Sequence, residues 1–139
     1  MYHLIQGGIA KDHRGQIRFV NDFDMKDIKR FYIIKNTDLE LTRGWRAHKI
    51  EQRWFYVLSG SFQFGVVKID DWISPNRESE IEKFKVLSIE NRIIHVPKGF
   101  GTAFKALEQD SEILVFSDFP IEHACFDDHS FDLDYFKRF

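Results

Sequence analysis

Cysteine is nearly missing from this chain: Cys125 is the only one in 139 residues. One thiol excludes a disulfide framework within the chain and points to a reducing compartment, so the expected location is cytoplasmic. Proline is scarce, at 3 residues, which excludes collagen-like and proline-rich designs. No apolar run approaches the roughly 20 residues that a membrane helix needs. The longest, such as Ile113–Phe116, are strand-sized. Met1–Ala10 carries His3 and two glycines but no basic patch followed by an apolar core, so it does not read as a signal peptide. A surplus of one charge is lacking too: Lys plus Arg is 20, Asp plus Glu is 22, and the formal net charge is −2. Nucleic acid, whose backbone demands a clustered excess of cations, is not an expected partner, and neither is a membrane.

Aromatic residues are abundant, at 16% with 15 Phe. Each buried ring removes about 150–250 Å² from water, so even a short chain can build a sizeable core. No linker, repeat or low-complexity stretch divides the sequence, and residues 1–139 read as one domain. Short runs rich in Val, Ile, Phe and Tyr recur between Gly, Asp, Asn and Pro. They predict strands over Gln16–Asn21, Lys29–Lys35, Arg46–Lys49, Arg53–Ser59, Ser61–Asp70, Lys83–Ser88, Arg92–Val96, Thr102–Ala106 and Glu112–Asp118. Turns are expected at Asp12–Gly15, Leu58–Ser61 and Pro97–Gly101. Met25–Lys29 is read as a short helix. So is the tail Asp132–Phe139, where Leu133, Phe136 and Phe139 recur at helical spacing. Many short strands joined by turns predict an all-β sandwich or barrel, and a rolled sheet removes aromatic edges. The expected fold is a jelly roll.

Three motifs carry the candidate chemistry. In Arg43-Gly44-Trp45-Arg46-Ala47-His48-Lys49, Arg46 and His48 share one strand face. That face either lines the mouth of the barrel or lies on a solvated exterior. Arg53, Phe55 and Val57 form a similar set one strand later. In His95-Val96-Pro97-Lys98-Gly99-Phe100, Pro and Gly mark a tight turn, and His95 reads as a packing or surface residue. Asp12-His13-Arg14-Gly15 reads as a turn entering a strand. Cys125, two residues after His123, reads as a partly buried thiol.

In this order and spacing the motifs resemble the nucleotide-sugar cupins, over roughly Gly8 to Phe119. The dTDP-sugar 3,4-ketoisomerases are similar at Asp12–Gly15, at Ile28-Lys29-Arg30-Phe31-Tyr32-Ile33, at Arg43-Gly44 with Ala47-His48-Lys49, and at Leu58–Ser61. The dTDP-4-dehydrorhamnose 3,5-epimerases are similar at Glu90-Asn91-Arg92, at Val96–Phe100, and at Glu112-Ile113-Leu114 before Ser117-Asp118. Both families place a His three residues after the motif's Arg, where this chain has Arg46. An arginine stays protonated and cannot serve as a base. The acid Tyr of the epimerases would fall near Val115 or Phe116. His48 matches the second histidine of the ketoisomerases.

The resemblance implies a cupin (double-stranded β-helix) jelly roll, a homodimer, and a nucleotide-sugar ligand. A cupin metal centre uses two His two residues apart, a Glu shortly after, and a third His past a Pro-x-Gly turn. Here Arg46 and Thr102 stand in two of the imidazole positions, leaving His48 and Glu51, so no metal is expected. No other cofactor is expected either. Two functions follow. One is an isomerase or epimerase acting on a nucleotide-linked 4-keto-6-deoxy sugar in surface-polysaccharide biosynthesis. In it His48 would be the base, Arg46 would steady the enolate oxygen, Tyr32 would be an acid, and Arg43 and Arg53 would hold phosphate. The other is a non-catalytic nucleotide-sugar-binding module that keeps the pocket and has lost the chemistry.

Overall fold

The computed structural model describes residues 1–136. Twelve strands follow one another: β1 His3–Gln6, β2 Gly8–Asp12, β3 Gly15–Phe19, β4 Arg30–Lys35, β5 Thr42–His48, β6 Arg53–Ser59, β7 Ser61–Lys68, β8 Ile81–Leu87, β9 Arg92–Val96, β10 Phe100–Ala106, β11 Glu112–Ser117 and β12 His129–Ser130. A 3-10 turn, Ile121–Asp127, lies between the last two. One five-stranded sheet runs β1-β9-β6-β11-β4 and the second runs β12-β5-β10-β7-β8, while β2 and β3 pair as a separate hairpin. All neighbours are antiparallel. This is the jelly roll that the strand pattern predicts.

Strand periodicity explains how it closes. Alternate residues of a strand face opposite ways. Phe62, Phe64 and Val66 of β7 therefore turn inward together and meet Phe55 and Val57 of β6, Phe104 of β10, and Ile113 and Val115 of β11. Phe64 packs edge-on against Phe55 at 5.3 Å and stacks with Phe104 at 5.2 Å. The turn between β6 and β7 needs glycine: Gly60 has φ of 73°, and a Cβ there would stand 2.0 Å from Ser111 Oγ.

Three expectations about local structure are corrected. Met25–Lys29 is a turn rather than a helix. The Asp24 carboxylate accepts the Lys26 amide at 3.0 Å, and Ile28 donates to Met25 at 3.0 Å, so a tight turn takes up the donors that a helix would use. The tail is not helical over 132–136, and Phe139 lies outside the described residues. Phe131 exchanges two backbone bonds with Trp45 at 3.0 and 3.1 Å, which holds the chain extended on β5. Phe136 then buries itself against Trp45 on the outer side of the second sheet, with ring centroids 5.5 Å apart. Finally, β1 and β2 are strands where the sequence pattern marks none. Their polar and glycine-rich sequence lacks alternation, and the pairing of His3–Gln6 with Arg92–His95 comes from the facing strand.

No helix among the described residues is long and apolar enough to cross a membrane.

Candidate active site

The mouth of the barrel holds a cavity of about 560 Å³. Strand alternation supplies its walls. On β5, Trp45 and Ala47 turn outward under the tail, so Gly44, Arg46 and His48 turn inward. From β4 come Arg30 and Tyr32, and from β6 come Arg53 and Phe55. Thr102 and Phe104 of β10 close the opposite side. Pairing between β5 and β10 slips between Thr102 and Phe104, and there Arg43 also reaches the rim. Gly44 sits at this slip with φ of 138°, and a Cβ would meet Ala103 Cβ at 2.5 Å. Only glycine lets β5 lie that close to β10.

Arg46 and His48 thus share the cavity, and the solvated-exterior alternative does not hold. All five residues selected from the sequence, Tyr32, Arg43, Arg46, His48 and Arg53, border it. Their environments differ sharply. The Arg46 side chain is 59% exposed and ion-paired to Asp128 at 2.6 Å. Arg53 is 6% exposed; its Nη2 donates to Thr102 Oγ1 at 2.9 Å, and the guanidinium lies 5.2 Å from the Phe55 ring. Arg43 is exposed and donates to Asn36 Oδ1 at 2.9 Å. Arg30 is ion-paired to the buried Glu51 at 3.1 Å. Two cavity cations, Arg43 and Arg53, therefore have no carboxylate partner among the described ion pairs.

His48 is held from behind. Its Nδ1 lies 2.6 Å from the Asp127 carbonyl oxygen, which can only accept, so Nδ1 carries the proton. Nε2 is left as the lone pair, 3.5 Å from Glu51 Oε2. Burial, and then the Arg53 cation, push the His48 pKa down to about 4. The imidazole is neutral at pH 7 and able to accept a proton. Burial pushes the Tyr32 hydroxyl up, so it stays a donor at neutral pH.

The unfolded imidazole titrates near 6.5, so between about pH 6.5 and 4 the unfolded chain binds the proton that folded His48 refuses. The His48 contribution is complete above about 6.5 and fades as pH falls towards 4. Denaturant unfolding at pH 7.5 and 4.5 should show wild type losing more stability than His48→Asn. Equal losses would contradict this placement of the histidine.

Several site residues were not selected from the sequence. Glu51 appeared there only as a remnant of a metal pattern, although it lies three residues after His48. Arg30 was legible in principle, since it shares a face with Tyr32 on β4. Asp127 gave no signal, because 79 residues separate it from His48. Its carboxylate accepts the amides of Lys49, Ile50 and Glu51 at 2.8, 2.9 and 2.8 Å, shaping the turn that delivers Glu51. Burial pushes the Asp127 pKa up, but those three amides pull it down overall. Cys125 is a correction: it is exposed and borders the cavity, because the 3-10 turn lies across the mouth instead of packing into the core. His95 faces away from the cavity, stacked on Trp54 at 4.8 Å and bonded to Gln52 at 2.8 Å. Among the described residues no group of three or more His, Cys, Asp or Glu could hold a metal ion.

The family model for WxcM-like C-terminal domains matches residues 1–138. The chain belongs to that family. No curated protein sequence matches it. Solved structures share its fold. A variant of QdtA, a 3,4-ketoisomerase from Thermoanaerobacterium thermosaccharolyticum in complex with TDP-4-keto-6-deoxyglucose, is 21% identical with a TM-score of 0.70, over 91% of this chain and 85% of that one. A dTDP-4-dehydrorhamnose 3,5-epimerase from Bacillus anthracis with TDP bound is 15% identical with a TM-score of 0.75, over 96% and 79%. ChmJ, a 3'-monoepimerase from Streptomyces bikiniensis in complex with dTDP-quinovose, is 17% identical with a TM-score of 0.74, over 95% and 70%. The WxcM-like chain thus has the cupin fold of sugar-nucleotide isomerases and epimerases.

Proposed function

We propose that this WxcM-like protein is a cytoplasmic sugar-nucleotide isomerase of the ketoisomerase kind, working as a homodimer in surface-polysaccharide biosynthesis. Its substrate would be a nucleotide-linked 4-keto-6-deoxy sugar. The supporting observation is His48: a neutral imidazole inside the cavity, with Nδ1 committed to a carbonyl and Nε2 free to accept a proton. A base with that geometry removes the proton next to the ketone and returns it to the neighbouring carbon. No cofactor is needed, since the step is a proton transfer without net oxidation.

Arg53 and Arg46 are best assigned by burial. Hydrogen bonds and charges act more strongly away from water. Buried Arg53, beside His48, suits the oxygen that gains charge when the enolate forms. Arg43 and Arg46 at the rim suit the diphosphate, and Tyr32 is a further proton donor. The exposed Phe31 and Ile33 on the outer face of β4 suit burial in a dimer.

One observation favours the second reading, a binding module without chemistry: Arg46 stands where both families have a histidine, and it is already neutralised by Asp128. Calorimetry with TDP at two salt concentrations tests what the readings share. Binding that weakens as salt rises is expected, and no binding at millimolar TDP would overturn both. Product formation from TDP-4-keto-6-deoxyglucose then separates them. Turnover by wild type supports the isomerase. Binding without turnover, together with turnover gained by Arg46→His, supports the module.

A further inference from the structure

Moving a ketone from one ring carbon to the next requires two proton movements. One proton leaves a carbon and arrives at its neighbour. A second leaves a hydroxyl oxygen and arrives at the former carbonyl oxygen. A single imidazole nitrogen accounts for the first. His48 has only Nε2 available, because Nδ1 is held by the Asp127 carbonyl at 2.6 Å.

The structure places a second proton carrier beside it. Glu51 Oε2 is 3.5 Å from His48 Nε2, and the Glu51 side chain is 3% exposed and borders the cavity. The other carboxyl oxygen is anchored by Arg30 at 3.1 Å, and the Glu51 amide is fixed by the Asp127 carboxylate at 2.8 Å. Both ends of the residue are therefore set, and its second carboxyl oxygen stands beside His48 Nε2 in the cavity wall. We propose that Glu51 is a catalytic residue that carries the oxygen-bound proton, while His48 carries the carbon-bound one. This rests on the isomerase reading.

The His48 Nε2 lone pair takes the proton from the hydroxyl-bearing carbon, the C–H electrons form a C=C bond, and the carbonyl electrons move to oxygen. The Glu51 carboxylate takes the proton of the other hydroxyl. Its O–H electrons become the new C=O, and the C=C electrons take the proton back from His48 at the neighbouring carbon. The Glu51 carboxylic acid so formed protonates the former carbonyl oxygen. Both groups end as they began, with no oxidant or reductant. Burial pushes the Glu51 carboxyl up, against the pull of Arg53, Arg30 and Ser117, which helps it hold the proton in transit.

Glu51→Gln is the test, since glutamine keeps the shape and an acceptor for Arg30 but carries no proton. Three readouts are taken: TDP affinity by calorimetry, turnover of TDP-4-keto-6-deoxyglucose, and deuterium entry from D₂O at the carbon that loses its proton. Affinity should stay within about threefold. Turnover should fall by about 10²–10³-fold, within the range for a general acid or base. Deuterium entry should fall less than about 10-fold, because His48 and Arg53 still form the enolate. Turnover within threefold of wild type would overturn the proposal. So would an equal fall of turnover and exchange, which would reduce Glu51 to orienting His48. If Glu51→Gln does not fold, Glu51→Asp carries the same test, its carboxyl withdrawn by one methylene. Turnover must again fall further than exchange, and equal falls overturn the proposal. A wild type that neither exchanges nor converts would bring down the isomerase reading and this assignment together. With an active wild type, only the assignment of Glu51 is at stake.

Discussion

Replacing His48 by Asn is expected to lower turnover of a 4-keto sugar nucleotide by about 10²–10⁴-fold, the usual worth of a general base. The variant keeps a side chain that can hydrogen-bond the Asp127 carbonyl, so the wall of β5 should stay in place. Nothing on the same strand can replace the base. Arg46 is a fixed cation, and the remaining inward position is Gly44. The loss should fall on kcat, because the imidazole acts on the reacting carbon and not on the nucleotide. Steady-state kinetics of the purified variant check this. Turnover within threefold of wild type would show that His48 is not the base.

Arg53→Gln is expected to cost about 10²–10³-fold in turnover, similar to removing one oxyanion donor. The guanidinium is buried and bonded to Thr102 Oγ1 at 2.9 Å, so it meets developing charge without first shedding water. Glu51 retains Arg30 as its partner at 3.1 Å, so the substitution does not leave that carboxyl alone. TDP affinity should change far less than turnover if Arg43 and Arg46 hold the diphosphate. A matching fall in affinity and turnover would place Arg53 on the phosphates instead.

Much of this architecture is legible in the sequence, for a physical reason. Where one sheet face is buried and the other is not, side chains alternate. Phe62, Phe64 and Val66 against Gln63, Gly65 and Val67 announce β7, although Val67 on its other face is buried beneath the tail, and the boundaries of β6 and β9 coincide with the expected ones. The same alternation brings Arg46 and His48 to one face. What it cannot show is pairing at a distance. Strand β1 exists because β9 offers it an edge, and the chain entering the tail is fixed on β5 because Phe131 pairs with Trp45. In the site, Tyr32, Arg43, Arg46, His48 and Arg53 stand on strands, as does Arg30, which sequence reasoning passes over; the residues on turns escape it. Glu51 and Asp127 stand on irregular backbone, where no period marks the inward side, and their meeting depends on three amides accepted across the fold. The exposure of Cys125 has the same origin.

The cavity is expected to move a proton between carbon and His48. Incubating the wild-type protein with TDP-4-keto-6-deoxyglucose in D₂O and following the sugar by proton NMR measures that step directly. The account predicts loss of the proton next to the ketone, with deuterium in its place, at a rate far above the protein-free control and abolished in His48→Asn. Tight TDP binding with neither deuterium entry nor isomerisation above the control, or entry that is equally fast in His48→Asn, would contradict it.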